Sequence, residues 1–468
     1  MQDSWATSGI DLHLELRGPR RKRALEDALR QGIADGRLPA GTHLPSTRSL
    51  ATDLGVARNT VVDAYTQLTA EGWLAACQGS GTTVAARPPA AAPAAAAATD
   101  SPQPWRYDLR PGRPDLSSFP RSAWLAASRR AWSHAPYSDL GYGDPRGTRQ
   151  LREALAGYLG RARGVRTHPS RVVVCSGFTQ AFGLVCCALR ERRSTTVAVE
   201  CYGLPELLRI AAGLGVNIVT LPVDQEGADF GPAGGADAAV ITPAHQFPLG
   251  TVLSPSRRHA ALAWARAHGA VIVEDDYDGE FRYDRDPLGA LQGLDPDRVV
   301  YVGTASKTLA PGLRLAWLVL PGDLVQAVAD AKLLADRHAA VLEQLTLAEF
   351  ITSGAYDRHV RRRRLAYRHR RDRLVGTLAA GQIEGISAGL HAIVGLPAGT
   401  AEADVVAAAA ARGLALEGLD AYRVGPATHA PALVVGYATP PDHAYRSALA
   451  VLVNVLAATR ARATVNHQ

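Results

Sequence analysis

The sequence predicts an α/β protein: a small winged helix-turn-helix head, then a large body on a mostly parallel sheet that ends in a smaller α+β part. Three observations carry this reading. A helix, a helix–turn–helix and two short extended pieces follow one another within residues 10–86. Continuous apolar runs alternate with helical stretches over residues 107–468, with a smaller subdomain from about Phe350. Between the two lies a linker, residues 87–106, whose core Arg87–Pro104 reads RPPAAAPAAAAATDSPQP. It is Pro/Ala-rich and without periodicity, so it cannot pack a core. Its alanines could extend as a short helix without changing the division.

In the head, Leu25, Leu29 and Ile33 recur every four residues, as on one face of a helix. A second helix starts near Ser46, with Ser46 or Thr47 as its N-cap and Leu50 and Leu54 on one face. Gly55 breaks it. A third helix carries Val61, Tyr65 and Leu68 inward and ends at Gly72. Trp73–Ala76 and Thr82–Ala85 then flank Gly79-Ser80-Gly81, which can turn tightly. In the body the apolar runs are Val172–Cys175, Val197–Val199, Ala239–Thr242, Val271–Val273, Val299–Val302 and Leu315–Leu320. Such runs fit parallel strands buried on both faces.

Composition narrows the setting. A net charge of +7 permits an anionic partner without proving one. Only Lys22, Lys307 and Lys332 are lysines, so 48 of the 51 basic residues are arginines. A lysine kept in mid-chain is then expected to serve through its amine, which arginine cannot supply. The five cysteines form no C-x-x-C pair, which argues against a disulfide scaffold or a zinc site and for a reducing, cytoplasmic setting. The N-terminus lacks the pattern of a signal peptide, and no apolar run reaches the ~18 residues of a membrane span.

A recognition helix enters the major groove by its N-terminal end. Here that end reads Ala57-Arg58-Asn59-Thr60, side chains that bond base edges and phosphates. Arg48 precedes it, where a phosphate contact is expected, and Arg20-Arg21-Lys22-Arg23 could also meet the backbone. Residues 1–86 balance nine basic against nine acidic side chains, so charge alone does not make this a DNA-binding unit. The run GRLPAGTHLPSTRSLATDLGVARNTVVDAYTQLTAEGWL with GSGTTVA strongly resembles the DNA-binding domain of the GntR family. The resemblance implies that Ser46, Arg48, Arg58, Asn59 and Thr60 face duplex DNA. The wing approach Ala75-Ala76-Cys77-Gln78 lacks the arginine often found there, which leaves a wing contact in doubt.

Lys307 lies in Gly303-Thr304-Ala305-Ser306-Lys307-Thr308, just past a strand. Partial burial there would keep its amine nucleophilic for a Schiff base; the alternative is a solvated loop lysine. Glu274-Asp275-Asp276-Tyr277 follows another strand. Three adjacent carboxylates need a positive group, and a protonated pyridine nitrogen is one. A metal site or a solvated turn is the plainer reading of an acidic run, but no histidine at ligand spacing supports metal. Ser176-Gly177-Phe178-Thr179-Gln180, between a strand and a helix, could cradle a phosphate.

In the same order as in fold-type-I aminotransferases come Tyr142-Gly143-Asp144-Pro145-Arg146-Gly147, Ser176–Gln180, Thr242–Gly250, Glu274–Asp278 and Ser306–Arg314. Joined to the GntR-like head, the whole chain resembles the MocR/GabR subfamily of regulators, whose body is a pyridoxal 5′-phosphate (PLP) domain of that fold. The resemblance implies that Lys307 bonds PLP covalently, Asp275 pairs with its pyridine nitrogen and Tyr277 bonds its ring oxygen. Gly177, Phe178, Thr179, Thr304 and Arg314 would hold the phosphate, with Tyr142 reaching across a homodimer. Arg423 is the candidate for an effector carboxylate, although the strand Leu433–Gly436 carries no arginine, and His245 is a second effector contact. Two departures bear on activity: Leu204 stands where relatives stack a tyrosine, unless Tyr202 shifts in, and Phe247 replaces an asparagine.

The expectation is therefore a PLP-dependent, dimeric transcription regulator on paired half-sites, used for sensing rather than turnover. The alternatives are an active aminotransferase with a DNA-binding appendage, or a DNA-binding protein with a vestigial body. PLP itself and an amino-acid or amine adduct both remain open as signal; Leu204 inclines the reading toward PLP. The basic run from Arg361 to Arg373 reads as a solvated helix face or a dimer contact.

Overall fold

The computed structural model describes residues 21–77, 81–86, 105–192, 195–284, 288–378, 382–426 and 429–465, and the chain divides into two compact units, residues 1–102 and 103–468. Arg20, the wing turn at Gly79-Ser80 and the linker stretch 87–104 lie outside the described residues.

In the first unit α1 (Arg21–Ala34), α2 (Thr47–Leu54) and α3 (Arg58–Ala70) enclose one apolar core with β1 (Leu74–Cys77) and β2 (Gly81–Val84). Leu25, Leu29, Leu50, Val61, Tyr65 and Leu68 are all buried there, as their spacing requires. Ser46 caps α2, its hydroxyl accepting from Ser49 N. The wing strands sit one residue from their expected bounds. The sequence pattern missed a third extended piece: Leu44 N donates to Thr82 O and Val84 N to Thr42 O. Arg30 donates twice to Glu71, at 2.8 and 2.9 Å, tying α1 to the end of α3.

The second unit runs β3 (Tyr107–Asp108), α4 (Arg121–His134), α5 (Arg149–Arg163), β4 (Val172–Cys175), α6 (Phe178–Glu191), β5 (Thr196–Glu200), α7 (Glu206–Gly213) and β6 (Asn217–Leu221). The short pair β7 (Val223–Asp224) and β8 (Gly227–Ala228) precedes β9 (Ala238–Ile241), α8 (Pro255–His268), β10 (Val271–Asp276), β11 (Val299–Thr304), β12 (Ala316–Val319), α9 (Val325–Asp336), α10 (Val341–Thr352) and α11 (Ala355–Thr377). The chain closes with β13 (Ile383–Glu384), β14 (His391–Gly395), α12 (Glu402–Ala410), β15 (Leu414–Ala415), β16 (Glu417–Gly418), β17 (Ala432–Gly436) and α13 (Asp442–Val465).

Among the described residues, seven strands form the main sheet in the order β4-β12-β11-β10-β9-β5-β6. All six apolar runs are strands of it, buried on both faces as continuous hydrophobicity demands. One expectation needs correction: β12 runs antiparallel to both β11 and β4. The other strands share one direction, so the carboxyl ends of β4, β5, β9, β10 and β11 meet at one edge, where open α/β sheets place their ligands. Because β12 is reversed, the residues that precede it arrive at the same edge.

The smaller subdomain carries the antiparallel sheet β13-β14-β17-β16. Its boundary is not a cut near Phe350. Phe350, Tyr356 and Val360 pack in the large core, while Tyr367 and Leu374, further along α11, pack in the small one. Tyr107 and Leu109 also belong to the small core, because β3 pairs with β15. The basic run on α11 is a mixture. Arg361, Arg362, Arg368 and Arg373 are exposed, but Arg370 is buried and donates to Asp115 at 3.0 Å and Asp442 at 2.6 Å.

Arg163 and Asp276 form a pair in which each side chain is 1% exposed, joined at 2.6 and 2.8 Å. Arg163→Met leaves Asp276 as an uncompensated buried charge, with an expected loss of about 3–5 kcal/mol in chemical denaturation of the body. His359 on α11 is buried with Nε2 2.8 Å from Thr308 O, and burial pushes its pKa from 6.5 down to about 4. The folded state thus holds His359 neutral while the unfolded chain protonates it. Its stabilisation is complete above about pH 6.5 and is lost as the pH falls toward 4. Thermal melts between pH 7 and 4.5 should accordingly show a shallower fall for His359→Gln than for the unsubstituted protein.

Candidate functional site

The edge where the strands end opens on a cavity of about 390 Å³. Lys307, Asp275, Tyr277, Gly177, Phe178, Thr179, Thr304 and Arg314 all line it. They come from four separate strand ends, far apart in sequence, and share one space because the sheet collects those ends.

Each carboxylate of the Glu274-Asp275-Asp276 run has a different partner. Alternation along β10 sends Glu274 and Asp276 to one face and Asp275 to the other. Glu274 accepts from Leu291 N and Gln292 N at 2.8 and 2.9 Å. Asp276 takes Arg163 and, at 2.7 Å, the Tyr301 hydroxyl. Asp275 alone faces the cavity. Burial pushes its pKa well up, and the charge of Lys307 pulls it back. Burial conversely pushes Lys307 down, with Asp275 the largest opposing influence. Of the three lysines, Lys22 lies 3.7 Å from Glu26 and Lys332 pairs with Asp336, whereas Lys307 Nζ faces the cavity and donates to Gly112 O at 2.6 Å.

The start of α6 forms one end of the cavity. Gly177 has φ +140°, a conformation side chains rarely adopt, and a Cβ there would stand 3.0 Å from an Arg314 guanidinium nitrogen. The missing side chain lets Arg314 lie against the turn. Gly177 gives α6 no side-chain cap, so the first-turn N–H groups and the positive helix end point into the same space. Thr304 is held there by Ser306, whose Oγ is 2.8 Å away.

Two expected site residues do not line the cavity. Arg423 turns outward and donates to Asp420 at 2.5 Å, while its neighbours Tyr422 and Val424 line the cavity. The segment is extended, bridging to Tyr202, so consecutive residues point to opposite sides. His245 is buried behind Tyr277. Its Nδ1 lies 2.8 Å from Asp278 Oδ2 and 3.0 Å from the Tyr277 hydroxyl, so it supports that tyrosine rather than meeting a ligand. His391 approaches the same group; the donor atoms of His245, Asp278 and His391 lie within 4.8 Å of one another, a cluster that no spacing announced. His391 Nε2 donates to Pro248 O at 2.9 Å. Both Tyr202 and Leu204 line the cavity, so the two readings of that segment coexist. Phe247 lines it too. Sequence reasoning missed Arg113, which enters the cavity from the stretch after β3 and has no motif to mark it.

In the first unit, Arg58 and Asn59 are exposed at the start of α3, with Thr60 half-buried and Arg48 exposed on α2. Ala57 offers no side-chain cap, which leaves first-turn N–H groups available to a phosphate. Ser46 is exposed, with its oxygen already engaged in capping α2.

Residues 21–84 match the bacterial regulatory proteins of the gntR family, and residues 112–419 match aminotransferase class I and II. The HTH-type pyridoxine biosynthesis transcriptional regulator PdxR of Corynebacterium glutamicum is 34% identical over 85% of this chain and 88% of its own. The probable rhizopine catabolism regulatory protein MocR of Rhizobium meliloti is 36% identical over 74% of this chain and 75% of its own. Among solved structures, kynurenine aminotransferase of Pyrococcus horikoshii superposes with a TM-score of 0.67 at 23% identity, covering 75% of this chain and 90% of that one, a likeness of fold. With a gntR-family head, an aminotransferase class I and II body and relatives of this similarity along most of its length, the chain belongs to the MocR/GabR subfamily of GntR-family transcription regulators.

Proposed function

We propose that this regulator holds PLP through Lys307 and alters its grip on DNA according to whether PLP, or an amino compound joined to it, occupies the body. The observation that carries the reading is the meeting of Lys307, Asp275 and the Gly177–Arg314 turn in one cavity. These residues fit the group. The turn at α6 offers backbone N–H groups, a helix end and a guanidinium to a phosphate. Asp275 offers a buried carboxylate to a pyridine nitrogen, and Tyr277 a hydroxyl to a ring oxygen. Lys307 offers an amine whose proton burial helps to remove.

When bound, PLP supplies an aldehyde that condenses reversibly with primary amines and a ring that withdraws electrons. The chain's own part is to position and to hold protons. Asp275 keeps a ring N–H in place, and His245 with Asp278 fixes the orientation of the Tyr277 hydroxyl. Phe247, Leu204 and Val424 give the cavity apolar walls. The signal must bind two arrangements of the body unequally, or it changes nothing at the DNA.

A second copy is part of this reading. Tyr137 and Tyr142 are 93% and 85% exposed, and Leu125 and Trp132 on α4 are also exposed, which supports a homodimer packed over them. Two heads would then read paired half-sites. Retention of the Lys307, Asp275 and Tyr277 set favours, as a second reading, a residual aminotransferase half-reaction; steady-state production of a keto acid from an amino donor would support it. The relationship to PdxR favours control of a vitamin B6 gene.

Absorbance titration of the purified protein with PLP, followed by borohydride trapping and peptide mapping, tests the attachment. We expect a visible band and label on the peptide carrying Lys307, both lost in Lys307→Ala; an unchanged spectrum in that variant overturns the assignment. At the head, Arg58→Ala should weaken operator binding by about 1–3 kcal/mol in gel shifts at fixed salt and relax sequence preference. Arg48→Ala should weaken all sequences alike and flatten the salt dependence.

A further inference from the structure

Lys332 lies outside the cavity lining, yet its side chain is 0% exposed, one turn before the end of α9. An ammonium so deep needs a partner. It donates to Asp336, the last residue of that helix. The other Asp336 oxygen accepts from Gln180 Nε2 at 2.8 Å. Gln180 Oε1 accepts in turn from Ser176 N at 2.8 Å and from the Ser176 hydroxyl at 3.1 Å. A continuous chain of bonds thus runs from α9 to the residue before Gly177. None of its four members lines the cavity, whereas Gly177, Phe178 and Thr179 do.

Packing makes this chain possible. Val328 and Ala331 of α9 share a core with Ala181 and Val185 of α6, and the bond from Gln180 to Asp336 joins the end of one helix to the start of the other. Gln180 engages the Ser176 N–H from outside, which leaves the first-turn N–H groups of α6 for a ligand. It also fixes the turn in which Gly177 takes φ +140° with Arg314 against it. Charge matters as well as shape. Burial raises the thiol of Cys175, two residues before Gly177, to about 11, and the charges of Lys332, Asp336 and Arg314 all act on it. Those charges therefore reach the same end of the cavity. Asp336 alone would oppose an anion there.

We infer that Gln180, Asp336 and Lys332 are positioning residues behind the phosphate end of the cavity: Gln180 fixes the turn, and Lys332 cancels the Asp336 charge that would otherwise repel a phosphate. The inference rests on the PLP reading above. It also gives the second buried lysine a task distinct from that of Lys307, one of charge balance rather than of nucleophilic chemistry.

The test uses the full-length protein with PLP and with pyridoxal, which carries the same aldehyde without the phosphate. Dissociation constants are read from the absorbance change of each compound, with borohydride trapping at Lys307 as the check of attachment. The proteins compared are the unsubstituted chain, Gln180→Leu, Lys332→Met, and Lys332→Met combined with Asp336→Asn. Each single variant should weaken PLP by about tenfold and change pyridoxal by less than about twofold. Adding Asp336→Asn to Lys332→Met should recover most of the loss, because it removes the unbalanced charge while its oxygen can still accept from Gln180. Gln180 is half-buried, so Gln180→Leu carries the test if Lys332→Met does not fold. Equal weakening of both compounds marks a merely structural role and overturns the inference. An unchanged ratio of PLP to pyridoxal affinity in either single variant overturns it too, as does a double variant without recovery. If the unsubstituted protein condenses with neither compound at Lys307, the parent reading falls instead.

Discussion

The body depends on keeping charges in a place where charges are costly. Asp275 and Lys307 face one cavity, each desolvated, and each shifts the other back toward its charged form. Neither would be retained alone so deep in the fold. The carboxylates on either side of Asp275 are removed from the competition, Asp276 by Arg163 and Glu274 by two backbone amides. A run that looks self-repelling in the sequence is thus three separate environments, and only one of them opens to a ligand.

This division explains why the neighbouring residues are so heavily bonded. Burial raises Glu274 to about 7, and Glu200 likewise, the latter accepting from Thr242 and Gln246. Glu200 lines the cavity and its bonds fix the end of β5 to that of β9, while Glu274, on the other face, ties β10 to the turn at Leu291. Thr308, next to Lys307, is held by Tyr356 and His359 on α11. The amine therefore projects from a loop clamped at the residue beside it.

The two subdomains of the body are joined by elements that belong to both. α11 contributes to the large core through Tyr356 and to the small core through Tyr367. The Leu109–Arg113 stretch leaves the small core, crosses β17 and enters the cavity. The cavity is consequently lined by groups tied to both subdomains, the arrangement that the proposed sensing would use.

The sequence by itself determined the order of elements, the buried strands and the residues that lie within a few positions of a strand end. Continuous apolar runs identify β4, β5, β9, β10, β11 and β12, and the motifs after them name Gly177, Asp275, Tyr277, Lys307 and Arg314, all of which meet in the cavity. The head was legible for the same reason: its periodicity and its punctuating glycines are local. Tertiary structure alone decided the direction of β12, the outward turn of Arg423, the place of His245 behind Tyr277 and the arrival of Arg113. The direction of β12 rests on which distant strands it pairs with, and the outward turn of Arg423 on which side of an extended segment faces a partner distant in the chain. Shifting by one residue reverses that side, and nothing in local composition records it.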